Sequence, residues 1–181
     1  MNSSDFISVL AINKLHYTFR RQIMPIARFS DKLLGSFDRV SFNNLLRRLA
    51  RQPTSGSLSP IMVNIWGTFC GPCIREMPIL AELSQEYADK GVQIVGIVID
   101  AVDNNGTAQQ TQITAANKIL TNANAKYVNI VPSYGMLGNQ LRVVMAIPTT
   151  VFVNKQGEIV GTTVIGSKDK QGWVKIIESL R

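Results

Sequence analysis

The two cysteines of the chain, Cys70 and Cys73, are separated only by Gly71 and Pro72. An apolar, β-branched run at 61–65 precedes this motif, and an amphipathic helical pattern follows it. This order predicts a strand, a tight turn and a helix, with Cys70 at the helix N-terminus. Unsatisfied backbone N–H groups and the positive end of the helix dipole favour a thiolate there. The spacing therefore predicts a dithiol/disulfide redox site.

The two thiols of such a site are expected to have different roles. Cys70 comes first and is expected to be the more exposed sulfur, so it is predicted to be the nucleophile that forms a mixed disulfide with a substrate. Cys73, one turn into the helix and more buried, then resolves that intermediate. Gly71 lets the turn form, and Pro72 sets φ for helix entry. Two buried structural thiols are the alternative interpretation.

A structural disulfide and a zinc site are both poorly supported by the sequence. A bridge that closes so short a loop removes little entropy from the unfolded chain, so it would stabilise the fold weakly. A structural zinc ion usually has four ligands, and the one histidine, His16, lies far from the cysteines along the chain. We therefore expect no metal and no other cofactor.

Positive charge is concentrated in the first third of the chain. Residues 1–60 contain nine Lys/Arg against three Asp, whereas residues 61–181 contain ten Lys/Arg against nine Asp/Glu. These charges are scattered rather than clustered, so we expect no nucleic-acid partner. No apolar stretch approaches the roughly 18–20 residues of a membrane-spanning helix. A signal-peptide layout is not evident either, because Asp5, Lys14 and Arg20 interrupt the apolar runs.

The hydrophobic pattern from Ile61 onward predicts alternating strands and helices. The predicted strands are 61–65, 91–100, 127–131, 149–153 and 158–165, and the predicted helices are 74–90 with a kink at Pro78, 107–125, 136–144 and 168–180. This alternation implies a parallel sheet, to which the final hairpin adds an antiparallel edge. We therefore predict an α/β fold, a central mixed β-sheet flanked by helices.

The chain divides into two parts in this interpretation. Residues 1–60 form a basic N-terminal arm of uncertain structure, with a strand-like pattern at 15–19 and a helical pattern at 41–51. A polar, turn-rich linker at 52–60 separates the arm from the domain at 61–181.

Two motifs carry a resemblance to a known family. Trp66–Cys73 (WGTFCGPC) and Ile147–Thr150 (IPTT), which precedes a predicted hairpin, resemble the thioredoxin superfamily. The segment Cys70–Pro78 (CGPCIREMP) is similar, more narrowly, to the TlpA/ResA-type disulfide reductases of the AhpC/TSA (redoxin) group. The predicted helix at 107–125 fits the insertion of that branch. The resemblance covers roughly 61–181 and implies a thioredoxin-like fold and a thiol–disulfide oxidoreductase that reduces protein disulfides.

The same resemblance implies further site residues. Pro148 would be a cis-proline facing the cysteines, with Ile147 offering its backbone to an extended substrate segment; an ordinary trans-proline is the alternative. Glu76 would manage protons at the buried Cys73, because a carboxylate near a buried thiol can accept its proton. A solvated helix residue is the alternative for Glu76.

Three residues around the cysteines have less specific expectations. Asn64 stands where typical thioredoxins carry a buried Asp, and an amide cannot take a proton, which places more weight on Glu76 or water. Alternatively, Asn64 only satisfies a backbone group beneath the site. Trp66 and Phe69 are expected to form an apolar rim around the sulfurs, with Trp66 among the substrate-binding residues and core packing as the alternative.

The resemblance also implies partners and a location. A disulfide-containing protein would be the substrate, an upstream thiol donor would reduce the pair again, and the site of action would be the periplasm or cell envelope. The cytoplasm is the alternative location, and membrane association is expected only through a missing or removed N-terminal anchor.

Two other functions are possible alternatives. In a peroxiredoxin the reactive cysteine follows a Pro-x-x-x-Thr/Ser-x-x pattern, but Val63 and Gly67 occupy those two positions before Cys70. A redox-silent binding domain is the non-enzymatic alternative.

Overall fold

The computed structural model describes residues 60–138, 141–154 and 158–181, and only Ile26–Ala27 of the N-terminal third. The strand-like pattern at 15–19, the helical pattern at 41–51 and all but the last residue of the linker lie outside the described residues. The division into a basic arm and a domain therefore stays a prediction.

The described strands form one six-stranded sheet. They are β1 (Ile26–Ala27), β2 (Ile61–Trp66), β3 (Gln93–Val98), β4 (Val128–Ile130), β5 (Thr149–Val153) and β6 (Ile159–Ile165). Their order is β1-β4-β3-β2-β5-β6. The strands β1, β4, β3 and β2 lie parallel to one another, and β5 is antiparallel to both β2 and β6. The predicted mixed sheet with an antiparallel edge is confirmed, whereas β1, in the segment assigned to the arm, was not predicted.

Four α-helices connect or follow these strands in the described part of the chain. They are α1 (Gly71–Glu86), α2 (Gln110–Asn122), α3 (Tyr134–Gly138) and α4 (Lys170–Ser179). None of them is long and apolar enough to span a membrane. The order of strands and helices from β2 onward is the predicted one, and the fold is thioredoxin-like.

Two of the predicted helices differ from the observed ones in an informative way. α1 begins at Gly71 rather than at Ile74, and it continues through Pro78, which lies on the exposed face where its ring meets solvent. The helix predicted at 136–144 is present but has other bounds, because α3 begins at Tyr134 and ends at Gly138. From Leu141 the chain forms a turn, in which the Val144 N–H donates to the Leu141 carbonyl at 3.0 Å.

The central strand β2 sends its side chains into two separate apolar layers. Met62 and Trp66 pack with side chains of α1 and α4, while Ile61, Val63 and Ile65 pack on the opposite face of the sheet. All six residues of β2 are buried, which is expected of a central strand covered on both faces. The strand ends at Trp66, so the following turn lies at the carboxyl end of this central strand, where α1 begins.

Candidate active site

The N-terminus of α1 carries both cysteines, joined in a disulfide. Cys70 is the N-cap residue, with extended backbone angles (φ −88°, ψ 98°), and its Sγ accepts a hydrogen bond from the backbone N–H of Cys73 at 3.2 Å. Cys70 is 6% exposed and Cys73 2%, so Cys70 is the more accessible residue although both are buried. In the reduced protein the same N–H would stabilise a Cys70 thiolate.

The two residues between the cysteines form the start of the helix. Pro72 lies in the first turn, where its missing N–H costs no helical hydrogen bond, and it is exposed. Gly71 lies beneath Arg75, since a Cβ at this position would be 3.3 Å from Arg75 Nη1. The expected contributions of Gly71 and Pro72 to the turn and to helix entry fit these positions.

The loop before β5 meets the disulfide. The Ile147–Pro148 peptide bond is cis, as predicted. The Cys70 Sγ lies 3.7 Å from the carbonyl oxygen of Ile147, so segments 77 residues apart in sequence come together here. Pro148 is buried, and its carbonyl accepts a hydrogen bond from the Gly166 N–H at 2.8 Å. The loop that borders the disulfide is therefore held by a backbone hydrogen bond to the residue that follows β6.

Glu76 is buried and faces α4 and the segment that precedes it. Its Oε1 accepts hydrogen bonds from the Lys168 backbone N–H at 2.6 Å and from the Trp173 indole N–H at 2.8 Å. The residue is 3% exposed, which excludes the alternative of a solvated helix residue. Burial raises the pKa of Glu76 above its usual range, and the two hydrogen bonds and the charge of Lys168 offset only part of that effect. The hydrogen bonds of Glu76 go to these groups rather than to a cysteine.

We expect the Glu76→Gln protein to lose a pH dependence of stability that the wild type has. Because the pKa of Glu76 is raised on folding, the folded state keeps a proton that the unfolded chain loses near the ordinary glutamate pKa of 4.5. The free energy of unfolding is therefore largest below that value and decreases as the pH rises through the raised pKa. Glutamine keeps an oxygen for Lys168 and Trp173 but does not ionise, so this decrease should disappear.

Urea unfolding between about pH 4 and about pH 8 measures this difference. Glu82→Gln is the matched control, because Glu82 lies on the same helix with a side chain 57% exposed, and this variant should keep the wild-type profile. Parallel profiles for the wild type and Glu76→Gln would contradict the assignment of the decrease to Glu76.

Two buried polar contacts lie beneath the site. The Asn64 side-chain amide donates to Thr150 Oγ1 at 3.0 Å across the β2–β5 pair. The partner of this amide N–H is thus a side-chain hydroxyl rather than the backbone group of the alternative interpretation. Trp66 is fully buried, and its indole N–H donates to Asn129 Oδ1 at 2.9 Å. Trp66 thus lies in the core beneath the turn rather than at an exposed rim.

The exposed apolar surface beside the disulfide is formed by other residues. Phe69 is 70% exposed. A Cβ at Gly67 would lie 2.9 Å from the Phe69 ring and 3.2 Å from Cδ1 of Ile147, so these two side chains border the same point. Val143 and Met145, on the segment that leads to Ile147, are also exposed. A substrate that reaches Cys70 would meet Phe69 and Ile147 before any part of Trp66.

Asp100 is a residue at the site that was not predicted. It follows β3, and its carboxylate accepts hydrogen bonds from the backbone N–H and the hydroxyl of Thr68. The parallel register pairs Trp66 with Val98, so Thr68 and Asp100, each two residues further on, lie side by side. The contact could have been predicted from that register. Such a prediction would have required β2 and β3 to be aligned residue by residue.

The described residues contain no group of three or more His, Cys, Asp or Glu side chains that could hold a metal ion. What the arrangement offers is a sulfur–sulfur bond at a helix N-terminus, partly accessible through Cys70 and bordered by a backbone carbonyl. Such a disulfide exchanges with an incoming thiolate. Once it is reduced, a thiolate of the pair can attack a substrate disulfide.

Comparisons with known proteins agree with this geometry. The model of the redoxin family matches residues 55–177. The thiol-disulfide oxidoreductase ResA of Halalkalibacterium halodurans is 33% identical over 102 residues, which are 55% of this chain and 51% of that protein. The chain thus spans about half the length of that relative. The thiol:disulfide interchange protein DsbE of Pseudomonas aeruginosa is 34% identical over 162 residues, covering 87% of this chain and 80% of the relative.

A solved structure shows the same fold. The structure of a thiol:disulfide interchange protein of the thioredoxin family from Chlorobium tepidum superposes with a TM-score of 0.55 at 18% identity, covering 67% of this chain and 79% of that one.

Proposed function

Since the chain belongs to the redoxin family, we propose that it is a thiol–disulfide oxidoreductase that reduces disulfides in protein substrates. The observation that carries this proposal is the Cys70–Cys73 disulfide at the N-terminus of α1, with the Ile147 carbonyl 3.7 Å from the Cys70 sulfur. The names of the ResA and DsbE relatives support the same activity.

The reaction begins from the reduced pair. The Cys70 thiolate attacks one sulfur of the substrate disulfide; that S–S bond breaks, and the other substrate sulfur leaves as a thiolate that takes up a proton. The product is a mixed disulfide between Cys70 and the substrate. Cys73 then loses its proton and attacks the Cys70 sulfur, which forms the Cys70–Cys73 bond and releases the second substrate thiol. The substrate gains two electrons, and the pair loses them.

The start of α1 favours the first step. The Cys73 N–H points at the Cys70 sulfur at 3.2 Å, and the positive end of the helix dipole acts at the same place. Both interactions stabilise a thiolate more than a thiol, so they favour the attacking form of Cys70.

The pair must be reduced again after each turnover. A dithiol donor would do this by the same exchange in reverse, so a second redox partner with a reactive thiol is part of the proposal. By resemblance we place both partners outside the cytoplasm, in the periplasm or cell envelope.

Glu76 is proposed to take the proton that Cys73 releases in the second step. It lies three residues, about one helical turn, beyond Cys73. Its Oε1 is held by Lys168 and Trp173, which makes Oε2 the atom to accept the proton. The buried Tyr127 is no competing acceptor, because burial and the charge of Glu76 raise its pKa. If the Glu76→Gln protein kept the wild-type pH dependence of the resolving step, this role would be wrong.

The groups that face an incoming substrate are proposed to bind it mainly through the backbone. Ile147, which precedes the buried Pro148, can pair its backbone with an extended segment beside the disulfide. The half-buried Gly71 and the exposed Pro72 form the start of α1 on the other side. Trp66 contributes from below by packing under the turn, while the exposed Phe69 supplies apolar contact.

Two assays on the wild-type protein test the proposed function. With dithiothreitol as electron donor, we expect catalysed reduction of insulin, a protein with accessible disulfides. With hydrogen peroxide as oxidant, we expect consumption no faster than the uncatalysed reaction, because Val63 and Gly67 replace the residues of a peroxidatic site. Fast peroxide turnover without insulin reduction would overturn the proposal in favour of a peroxidase. If a redox titration of the two cysteines showed no reversible couple, the protein would instead be a binding domain.

A further inference from the structure

The turn that presents Cys70 is tied to the sheet by the carboxylate of Asp100. The Cys70 N–H donates to the Gly67 carbonyl at 3.1 Å and closes this turn. At its corner, the Thr68 N–H lies 3.0 Å from Oδ1 and 3.1 Å from Oδ2 of Asp100, and the Thr68 hydroxyl donates to Oδ2. Both donors of Thr68 are therefore held by one side chain.

Asp100 is itself fixed by the elements around it. It lies in a single 3₁₀ turn, Ile99–Ala101, which directly continues β3. The Ala101 carbonyl accepts a hydrogen bond from the Gln109 N–H at 2.8 Å, immediately before α2. Val102 forms an isolated antiparallel bridge with Ala108. The carboxylate is therefore mounted on a segment that is connected both to the sheet and to the start of α2.

The position of this turn decides what the substrate meets. Phe69, directly after Thr68, is 70% exposed, and Cys70 follows with its sulfur at the helix N-terminus. On the inner side there is little free space, since a Cβ at Gly67 would lie 3.4 Å from Asp100 Oδ1 as well as close to Phe69 and Ile147. A shift of Thr68 would therefore move both the ring of Phe69 and the sulfur of Cys70 relative to Ile147.

We propose that Asp100 is a positioning residue for thiol–disulfide exchange, holding Thr68 so that the Cys70 sulfur stays aligned beside the Ile147 carbonyl. It touches neither sulfur and acts through the turn. This inference rests on the proposed function, because it concerns the rate of the same exchange. Misplacement of a reacting atom by about 1 Å can cost on the order of 10²-fold in rate, so loss of the tie should be visible in the kinetics.

The test measures the second-order rate of the reduced protein with 5,5′-dithiobis(2-nitrobenzoic acid), together with thermal unfolding. We expect Asp100→Ala to react about 10- to 100-fold more slowly than the wild type. Asp100→Asn should recover most of that rate, because its amide oxygen accepts from the Thr68 N–H and its NH₂ group donates to the Thr68 hydroxyl. This rescue separates positioning from a role of the carboxylate charge.

Asp103→Ala is the matched control. Asp103 lies three residues away, and its Oδ1 accepts hydrogen bonds from the Asn105 and Thr107 N–H groups at 2.9 and 2.8 Å. Its removal should lower stability but leave the rate unchanged. Equal slowing of Asp100→Ala and Asp103→Ala, or an Asp100→Asn protein as slow as Asp100→Ala, would overturn the inference.

Thr68 provides a second test should Asp100→Ala fail to fold. Thr68→Ser keeps the hydroxyl and should react at the wild-type rate, whereas Thr68→Val keeps the shape but loses one hydrogen bond and should be slower by about 3- to 10-fold. Identical rates for both variants would contradict the inference. If the wild-type protein reduces insulin and all these variants react at its rate, the inference alone is disproved. If the wild-type protein has no exchange activity, the proposed function is disproved.

Discussion

Replacement of Cys70 by serine is expected to abolish the catalysed reduction of insulin, with a loss on the order of 10³-fold or more. Serine is a good N-cap residue, so its hydroxyl can accept from the Cys73 N–H as the sulfur does now, and the start of α1 should be kept. What disappears is the thiolate, and a serine hydroxyl at neutral pH is too weakly ionised to replace it. The loss is therefore one of chemistry rather than of fold.

The measurement is the initial rate of insulin reduction with dithiothreitol as donor. Circular dichroism and thermal unfolding of Cys70→Ser, compared with the reduced wild type, serve as the control for folding. A Cys70→Ser protein that kept most of the wild-type rate would contradict the assignment of Cys70 as the nucleophile.

The sequence was sufficient to predict the strand–turn–helix unit around the cysteines. An apolar run, two cysteines at helical spacing and an amphipathic pattern each point to the same local structure, and no distant contact is needed to interpret them. The start of α1 was nevertheless placed at Ile74 instead of Gly71. The reason is that the amphipathic pattern that set this bound begins only at Ile74, although Cys70 was already predicted at the helix N-terminus.

Short elements were predicted less well because their structure depends on tertiary contacts. β1 has two residues, Ile26–Ala27, which is too short for any periodic pattern. The apolar residues between 136 and 144 suggested a helix, but α3 ends at Gly138 and Leu141 instead donates its N–H to the Met136 carbonyl. Met136 and Leu141 are thus buried through a turn rather than through a longer helix, and Val143 is exposed.

The polar contacts beneath the site could not have been predicted from spacing. Glu76 and Trp173 are 97 residues apart, and Trp66 and Asn129 are 63 apart. Such pairs form only when the sheet and helices are packed. The need for glycine at position 96 also depends on tertiary packing. A Cβ there would lie 1.8 Å from Asn129 Oδ1, and this clash exists only when β3 and β4 are paired.

Pro148 is the contrasting case. Its position opposite the cysteines followed from resemblance to a family, and the cis bond at this residue bears out that prediction. The residue that ties down the turn on the other side, Asp100, has no such motif and emerged only from the register of β2 and β3. The sequence motifs therefore identified the reacting cysteines and Pro148, whereas the alignment of the strands identified Asp100, which holds the turn before Cys70.

Replacement of Cys73 by serine is expected to stop turnover after the first step. The Cys70 thiolate still attacks the substrate disulfide and releases one substrate thiol, but no sulfur remains at position 73 to attack the mixed disulfide. Because Cys73 is 2% exposed, serine at that buried position meets little solvent and no substrate. The covalent intermediate should therefore accumulate.

The most direct test of the central claim is intact-mass spectrometry of reduced Cys73→Ser after incubation with insulin, with peptide mapping of the adduct. The expected result is one insulin molecule attached to Cys70 through a disulfide that dithiothreitol removes, and no adduct on the Cys70→Ser protein. Unmodified Cys73→Ser that still turns over insulin, or an adduct at Cys73 in the Cys70→Ser protein, would contradict a Cys70-initiated exchange.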